Sequence, residues 1–194
     1  MPSNDWNKES IESLRKRVYN DELRDFAGFE TKDDLYSSLV AVAESVDADS
    51  RGFIMDILYR LDGEKAFSFL VHRLQDNDEF IRAGAVEMLA VYGEQITPLL
   101  IPLLQRDPSP IVRCIAAAML GYHGTLDALV SLKQAAETDH AYDLQGYQVS
   151  HLARHAIKQI KARNRPDAPP YDPFAPRSLK MEMEIDEQED DEID

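Results

Sequence analysis

The sequence contains little that would cross-link the chain or anchor it in a membrane. Its 194 residues include one cysteine, Cys114, and 8 glycines. A lone cysteine excludes an internal disulfide and is typical of a reducing compartment. No stretch reaches the ~20 apolar residues that a transmembrane helix needs, and the N-terminus resembles no signal peptide. We therefore expect a cytoplasmic protein without membrane association.

Basic side chains are also scarce. The chain has 21 Lys and Arg against 36 Asp and Glu, which gives a formal net charge of −15. Residues 181–194 contain nine of the carboxylates and no base, and the rest of the chain is still acidic. An acidic surface repels phosphate backbones and attracts basic proteins, so we expect no nucleic-acid binding and a basic protein partner.

What the sequence does contain is an internal repeat. Stretches that begin with arginine start at Arg51 (RGFIMDILYRLDG), Arg82 (RAGAVEMLAVYGE) and Arg113 (RCIAAAMLGYHGT), 31 residues apart. Leucines recur at the same interval, at Leu58, Leu89 and Leu120. A period of this length is typical of a solenoid built from stacked helical hairpins.

The pattern predicts three parts. Residues 1–30 should form an N-terminal capping helix, and residues 31–163 a repeat domain of about four helical hairpins. We expect residues 164–194, first Pro-rich and then acidic, to be disordered because they bury too little apolar surface. The fourth hairpin has a long connection, over residues 138–146. The helices predicted for the first three hairpins are about 31–46 and 50–61, 64–75 and 78–92, and 97–104 and 109–122.

Two of the repeats resemble a known family. They read QDNDEFIRAGAVEMLAVYG from Gln75 and RDPSPIVRCIAAAMLGYHG from Arg106. Both stretches contain an acidic turn, then Ile or Val before Arg, small residues, Met-Leu and a late Gly. This pattern resembles HEAT repeats, in particular the short HEAT-like class named after phycobilisome lyases. The resemblance covers about residues 33–162. It implies an all-α fold, an α-solenoid or α-α superhelix.

The resemblance also suggests a role for the repeated arginine. In HEAT proteins this arginine pairs with aspartates of the turns and locks neighbouring repeats together. A basic stripe that binds a ligand is the alternative for the same three arginines. The structural ladder is the reading we prefer, and it would consist of Arg51, Arg82, Arg113, Asp47, Asp76, Asp78 and Asp107.

Aromatic side chains at helix ends and in the long connection are the candidate contact residues. Aromatic residues are enriched at protein interfaces, although packing at helix ends would explain the same positions. The candidates are Tyr92, Tyr122, His123, Tyr142 and Tyr147.

No catalytic residue or metal site is expected. His151 and His155 are four residues apart and share a helix face, but no third ligand is evident nearby. The HEAT-like di-iron hydroxylases use His-Glu pairs, and this chain has no His-Glu dipeptide. Cys114 lies among small residues of a predicted helix, where a buried, inert thiol is expected.

These observations favour a monomeric, non-catalytic protein-interaction module that needs no cofactor. It would act as a scaffold, an adaptor or an inhibitor of the immunity type, and grip a basic protein on a concave face lined by the second helix of each hairpin. The alternative, implied by the resemblance, is a bilin-lyase-like enzyme or enzyme subunit that binds a tetrapyrrole. A damaged-DNA glycosylase of the HEAT-like type would need a basic groove, which the acidic balance opposes.

Overall fold

A computed structural model describes residues 6–19, 28–43 and 48–166, with the backbone alone at residues 48 and 49. Within these ranges the chain is all-α, and β structure is limited to an isolated bridge between Tyr142 and Gln148. The prediction of an all-α fold is therefore confirmed. The end of the predicted capping helix, residues 20–27, and most of the predicted tail, residues 167–194, lie outside the described residues.

The chain divides into two compact units, Met1–Gln75 and Asp76–Asp194. Helices of the first unit are α1 (Lys8–Tyr19), α2 (Lys32–Ala43), α3 (Ala48–Leu61) and α4 (Gly63–Arg73). Those of the second unit are α5 (Glu79–Met88), α6 (Thr97–Arg106), α7 (Pro110–His123), α8 (Leu129–Thr138) and α9 (Val149–Arg163). Two 3-10 segments, Leu89–Ile96 and Leu126–Ala128, precede α6 and α8.

In the first unit, α3 packs against α1, α2 and α4. The contacts bury apolar side chains spaced three or four residues apart on each helix, which is the pattern of an amphipathic helix. An ion pair of 2.6 Å between Arg15 and Asp56 joins α1 to α3, and the Arg15 guanidinium also lies 4.7 Å from the centre of the Phe53 ring. The fully buried core includes Ile11, Leu35, Leu39, Ile54, Ile57 and Leu58.

In the second unit the helices form two layers. Helices α5, α7 and α9 pack side by side, while α6 packs on α7 and α8 packs on α9. The pairs α6–α7 and α8–α9 are thus successive hairpins in a helical-repeat arrangement, as an α-solenoid fold requires. The core between the layers includes Val86, Leu89, Ile96, Leu100, Val112, Leu120, Leu132 and Ile160, all fully buried.

One helix is shorter than the sequence predicts. We expected a helix over residues 78–92, but α5 ends at Met88 and the chain continues as 3-10 turns to Ile96. Gly93 lies in this segment at φ 62° and ψ −136°. Glycine adopts this conformation without the steric cost that a Cβ would bring, and the chain can therefore turn into α6. In the next repeat, α7 stays α-helical to His123.

Helices α7 and α9 cross in close contact at Gly121. A Cβ at this position would lie 2.9 Å from the Cα of Ala156 on α9 and would also meet the Gln159 side chain. Beyond the crossing, Arg163 of α9 donates hydrogen bonds of 2.6 and 2.8 Å to the carbonyls of Gly121 and Gly124. A guanidinium here satisfies carbonyls that the end of α7 leaves without intrahelical partners.

We expect Gly121→Ala to lower the free energy of unfolding by about 1–3 kcal/mol, because the methyl group would push against backbone of α9. Urea denaturation measures the change. Gly84→Ala on α5 is the matched control, since its added Cβ has no neighbour within 4 Å. It should stabilise by about 0.5–1 kcal/mol through helix propensity alone. Equal effects of the two variants would contradict the close crossing.

Candidate protein-interaction surface

The arginine that opens the second repeat binds the turns on both sides of it. Arg82 on α5 is 8 % exposed, and its Nε and Nη2 each donate a hydrogen bond of 2.8 Å to the carboxylate of Asp107, which lies before α7. Its Nη1 donates to the carbonyls of Asp76 and Asn77, at 2.8 and 3.2 Å. Such a bidentate pair is among the strongest polar contacts in proteins, and Asp107 raises the pKa of the guanidinium.

Arg113 repeats this geometry one unit later. Its Nε and Nη2 donate to the carboxylate of Asp139, at 2.6 and 3.3 Å. Its Nη1 donates to the carbonyls of Asp107 and Pro108, at 2.7 and 3.2 Å. Each arginine therefore binds the carbonyls of its own turn and the carboxylate of the next turn.

The other residues proposed for the ladder occupy varied positions. Arg51 donates a hydrogen bond of 2.8 Å from Nε to the carbonyl of Ala43, within the first unit. The carboxylate of Asp76 accepts from the amide of Asp78 at 3.0 Å. Asp78 is the N-cap of α5, where its carboxylate accepts from the amide of Phe80 at 2.8 Å. Asp47 lies outside the described residues.

Sequence reasoning missed Asp139, although a signal for it exists. Asp107 follows Arg82 by 25 residues, and Asp139 follows Arg113 by 26. The residue stands at the start of the long connection, where the regular repeat is lost. The equivalence of Asp139 and Asp107 is therefore not visible in an alignment of the helices. It is visible only in the interval between each arginine and its aspartate.

The connection after α8 is a hydrogen-bonded loop, which we call the 139–148 loop. The amide of Ser150 donates to the carbonyl of Asp139, and the amide of Asp143 donates to the carbonyl of Tyr147, both at 2.9 Å. The Asp143 carboxylate accepts from the amides of Gln145 and Tyr147, also at 2.9 Å. Gly146, at φ 88°, supplies the left-handed residue of this turn. The loop backbone is therefore held in one conformation.

This fixed loop exposes apolar side chains. Leu144 is 79 % exposed and Tyr142 59 % exposed. A loop backbone that is already ordered loses little further entropy on binding, which favours the use of its large apolar side chains in interfaces. At the foot of the loop, Asp139 also pairs with Arg113 of α7.

The five aromatic candidates divide by burial. Tyr142 is exposed, while Tyr92 and Tyr147 are half-buried. Tyr122 and His123 are buried, at 6 % and 7 % exposed, so the expectation that they contact a partner is corrected. They were proposed because they lie at the end of a predicted helix. That end is covered by α9, whose packing across α7 no local pattern encodes.

The thiol of Cys114 is buried beneath the 139–148 loop. It is 1 % exposed and donates a contact of 3.4 Å to the carbonyl of Tyr147. Burial, with the nearby carboxylates of Asp143 and Asp139, raises its pKa to about 12. A thiol in this state is protonated at neutral pH, whereas a nucleophilic cysteine needs a lowered pKa and exposure.

No group of three or more His, Cys, Asp or Glu that could hold a metal ion occurs among the residues that the structure describes. On α9, His151 is exposed and His155 half-buried. Over the same part of the chain, no helix combines the length and apolar character needed to cross a bilayer.

We expect Arg82→Ala to lower the free energy of unfolding by about 3–5 kcal/mol, because the buried Asp107 carboxylate would lose its countercharge. The free energy of unfolding of Arg82→Lys should lie between those of Arg82→Ala and the wild type. Lysine keeps the positive charge but cannot bind the carboxylate through two nitrogens. Lys133→Ala, at an exposed position on α8, is the control. A thermal melt that is unchanged in Arg82→Ala would contradict a structural role for the pair.

Comparison with known proteins identifies the repeats. Residues 70–146 match the family model described as HEAT repeats. No curated protein and no solved structure matched the chain. The matched segment includes the arginines and aspartates of both complete Arg–Asp pairs in the second unit. Residues 70–146 of the chain are therefore similar to HEAT repeats.

Proposed function

We propose that this protein is a non-catalytic interaction module, an adaptor or an inhibitor of the immunity type, that binds a basic protein. HEAT repeats generally mediate protein–protein interaction. The proposal of an adaptor or inhibitor rests on the 139–148 loop, which presents Tyr142 and Leu144 to solvent from a hydrogen-bonded backbone. Burying a side chain such as Leu144 in a partner's pocket would contribute about 1.5–3 kcal/mol.

The loop is a better candidate than the layer of second helices in this unit. Every side chain of α7 is buried or half-buried, and the exposed residues of α5 are Glu87 and, near its start, Phe80. Helix α9 is more exposed, but its surface is basic and would repel a basic partner. Binding on a concave face remains a prediction, and the loop would supply the first apolar anchors.

Electrostatics support a basic partner for the molecule as a whole. The formal net charge of −15 produces a field that accelerates the approach of cationic proteins. Close to the loop, Glu137 is exposed at the end of α8, and the half-buried Asp143 lies within the turn. Such charges mainly raise the association rate and its salt dependence, while the apolar anchors determine how long the complex lasts.

The test begins with affinity capture of a partner from the source cells and continues with titration calorimetry on the purified pair. Tyr142→Ala combined with Leu144→Ala should weaken binding by at least ~10-fold, because interface hot spots cost more than about 1.4 kcal/mol when truncated. The association rate should fall as salt is added.

Val130→Ala is the matched control, since Val130 is 78 % exposed on α8 and lies outside the loop. It should leave the affinity unchanged. An equal loss in both variants, or none in the loop variant, would contradict the role of the loop. An acidic partner would contradict the electrostatic part of the proposal. The tetrapyrrole alternative predicts an absorbance shift when a bilin is mixed with the protein, and the interaction proposal predicts none.

A further inference from the structure

Helix α9 carries a basic stripe on an otherwise acidic protein. Its exposed surface includes His151, Arg154, Lys158 and Lys161, and Arg165 follows just after the helix. These positions are three or four residues apart and therefore line one face of the helix. Residues 144–166 contain no carboxylate. We call the five residues the basic stripe.

Capping explains only part of this charge. Arg154 donates a hydrogen bond of 3.0 Å from Nη2 to the carbonyl of Ala136 near the end of α8. Arg163, beside the stripe, serves the end of α7 in the same way. Lys161 and Arg165 are exposed at the C-terminal end of α9. Cations there stabilise the helix dipole by about 0.3–1 kcal/mol, but this effect does not account for basic side chains along the whole length of the helix.

The chain itself contains a segment of opposite charge. Residues 181–194 carry nine carboxylates and no base. The segment lies outside the described residues, but residues 167–180 join it to residue 166, three residues after the end of α9. An extended chain of that length spans at most about 50 Å, and α9 is only ~22 Å long. The linker is therefore long enough for the acidic segment to return along the whole stripe.

We propose that residues 181–194 dock on the basic stripe of α9. Each exposed ion pair contributes little, typically about 0.2–1 kcal/mol. Several such pairs act together here, and the tether makes the encounter intramolecular, which raises the effective concentration of the acidic segment at the stripe. The contact would be sensitive to salt. Because the tether favours the chain's own segment, an external acidic ligand would have to displace it.

The docking can be tested on the full chain by paramagnetic relaxation. Gln188→Cys places a nitroxide label in the acidic segment without removing a charge. Cys114, at 1 % exposed, should stay unlabelled, and label-treated wild-type protein verifies this. We expect the amide signals of α9 to lose roughly half of their intensity or more at about 0.01 M salt, where the Debye length is about 30 Å. The loss should disappear at about 1 M salt, where it is about 3 Å.

Two charge reversals on the stripe, Lys161→Glu with Arg165→Glu, should abolish the broadening on α9. The matched control, Arg106→Glu with Lys133→Glu, changes the net charge equally at exposed positions of α6 and α8 and should preserve it. Circular dichroism verifies that both variants are folded.

Three results would overturn the proposal. The first is an absence of broadening on α9 at low salt. The second is broadening that persists in the stripe variant. The third is broadening of ¹⁵N-labelled chains by separate spin-labelled chains in a mixture, which would show that a second copy occupies the stripe. Loss of partner binding in the loop variants does not enter this test, so the two proposals stand or fall separately.

Discussion

A buried guanidinium that binds two turns at once is the contact on which the second unit depends. Arg82 and Arg113 each place three nitrogens within hydrogen-bond distance of oxygens, some from their own turn and some from the next. A charge that is buried without its partner is costly, and this cost ties each arginine to one aspartate. Asp107 belongs to both contacts, through its carboxylate to Arg82 and through its carbonyl to Arg113. Neighbouring turns are therefore held at a defined spacing.

The candidate interaction loop is fixed by the same contact. The Asp139 carboxylate that binds Arg113 also accepts from the amide of Ala141 at 3.3 Å, and its carbonyl accepts from Ser150. The foot of the loop is thus held by the repeat scaffold, while its tip is held by the Asp143 turn. A scaffold that positions an exposed loop is a common arrangement for binding sites, because the rigid elements bear the cost of ordering it.

Periodicity in the sequence was enough to predict the helices, since apolar side chains at Leu58, Leu89 and Leu120 recur with the arginines and all three are buried. It could not predict burial at the ends of the helices. Tyr122 and His123 look like surface aromatics until α9 is placed across α7, and that packing depends on Gly121 and Ala156, which are far apart in the chain. Nor did periodicity predict the 3-10 segment at Leu89–Ile96, where the positive φ of Gly93 turns the chain towards α6.

The Arg–Asp contact gives the repeats a direction. Reversing a pair, with aspartate on the helix and arginine in the next turn, would not restore it, because a carboxylate cannot donate to the carbonyls of Asp76 and Asn77 that Arg82 now serves. Each repeat therefore has a donor side, which carries the arginine, and an acceptor side, which carries the aspartate. A duplicated repeat within such a chain could pack on its neighbour only head to tail. Two separate chains could not form these contacts by bringing their donor sides together.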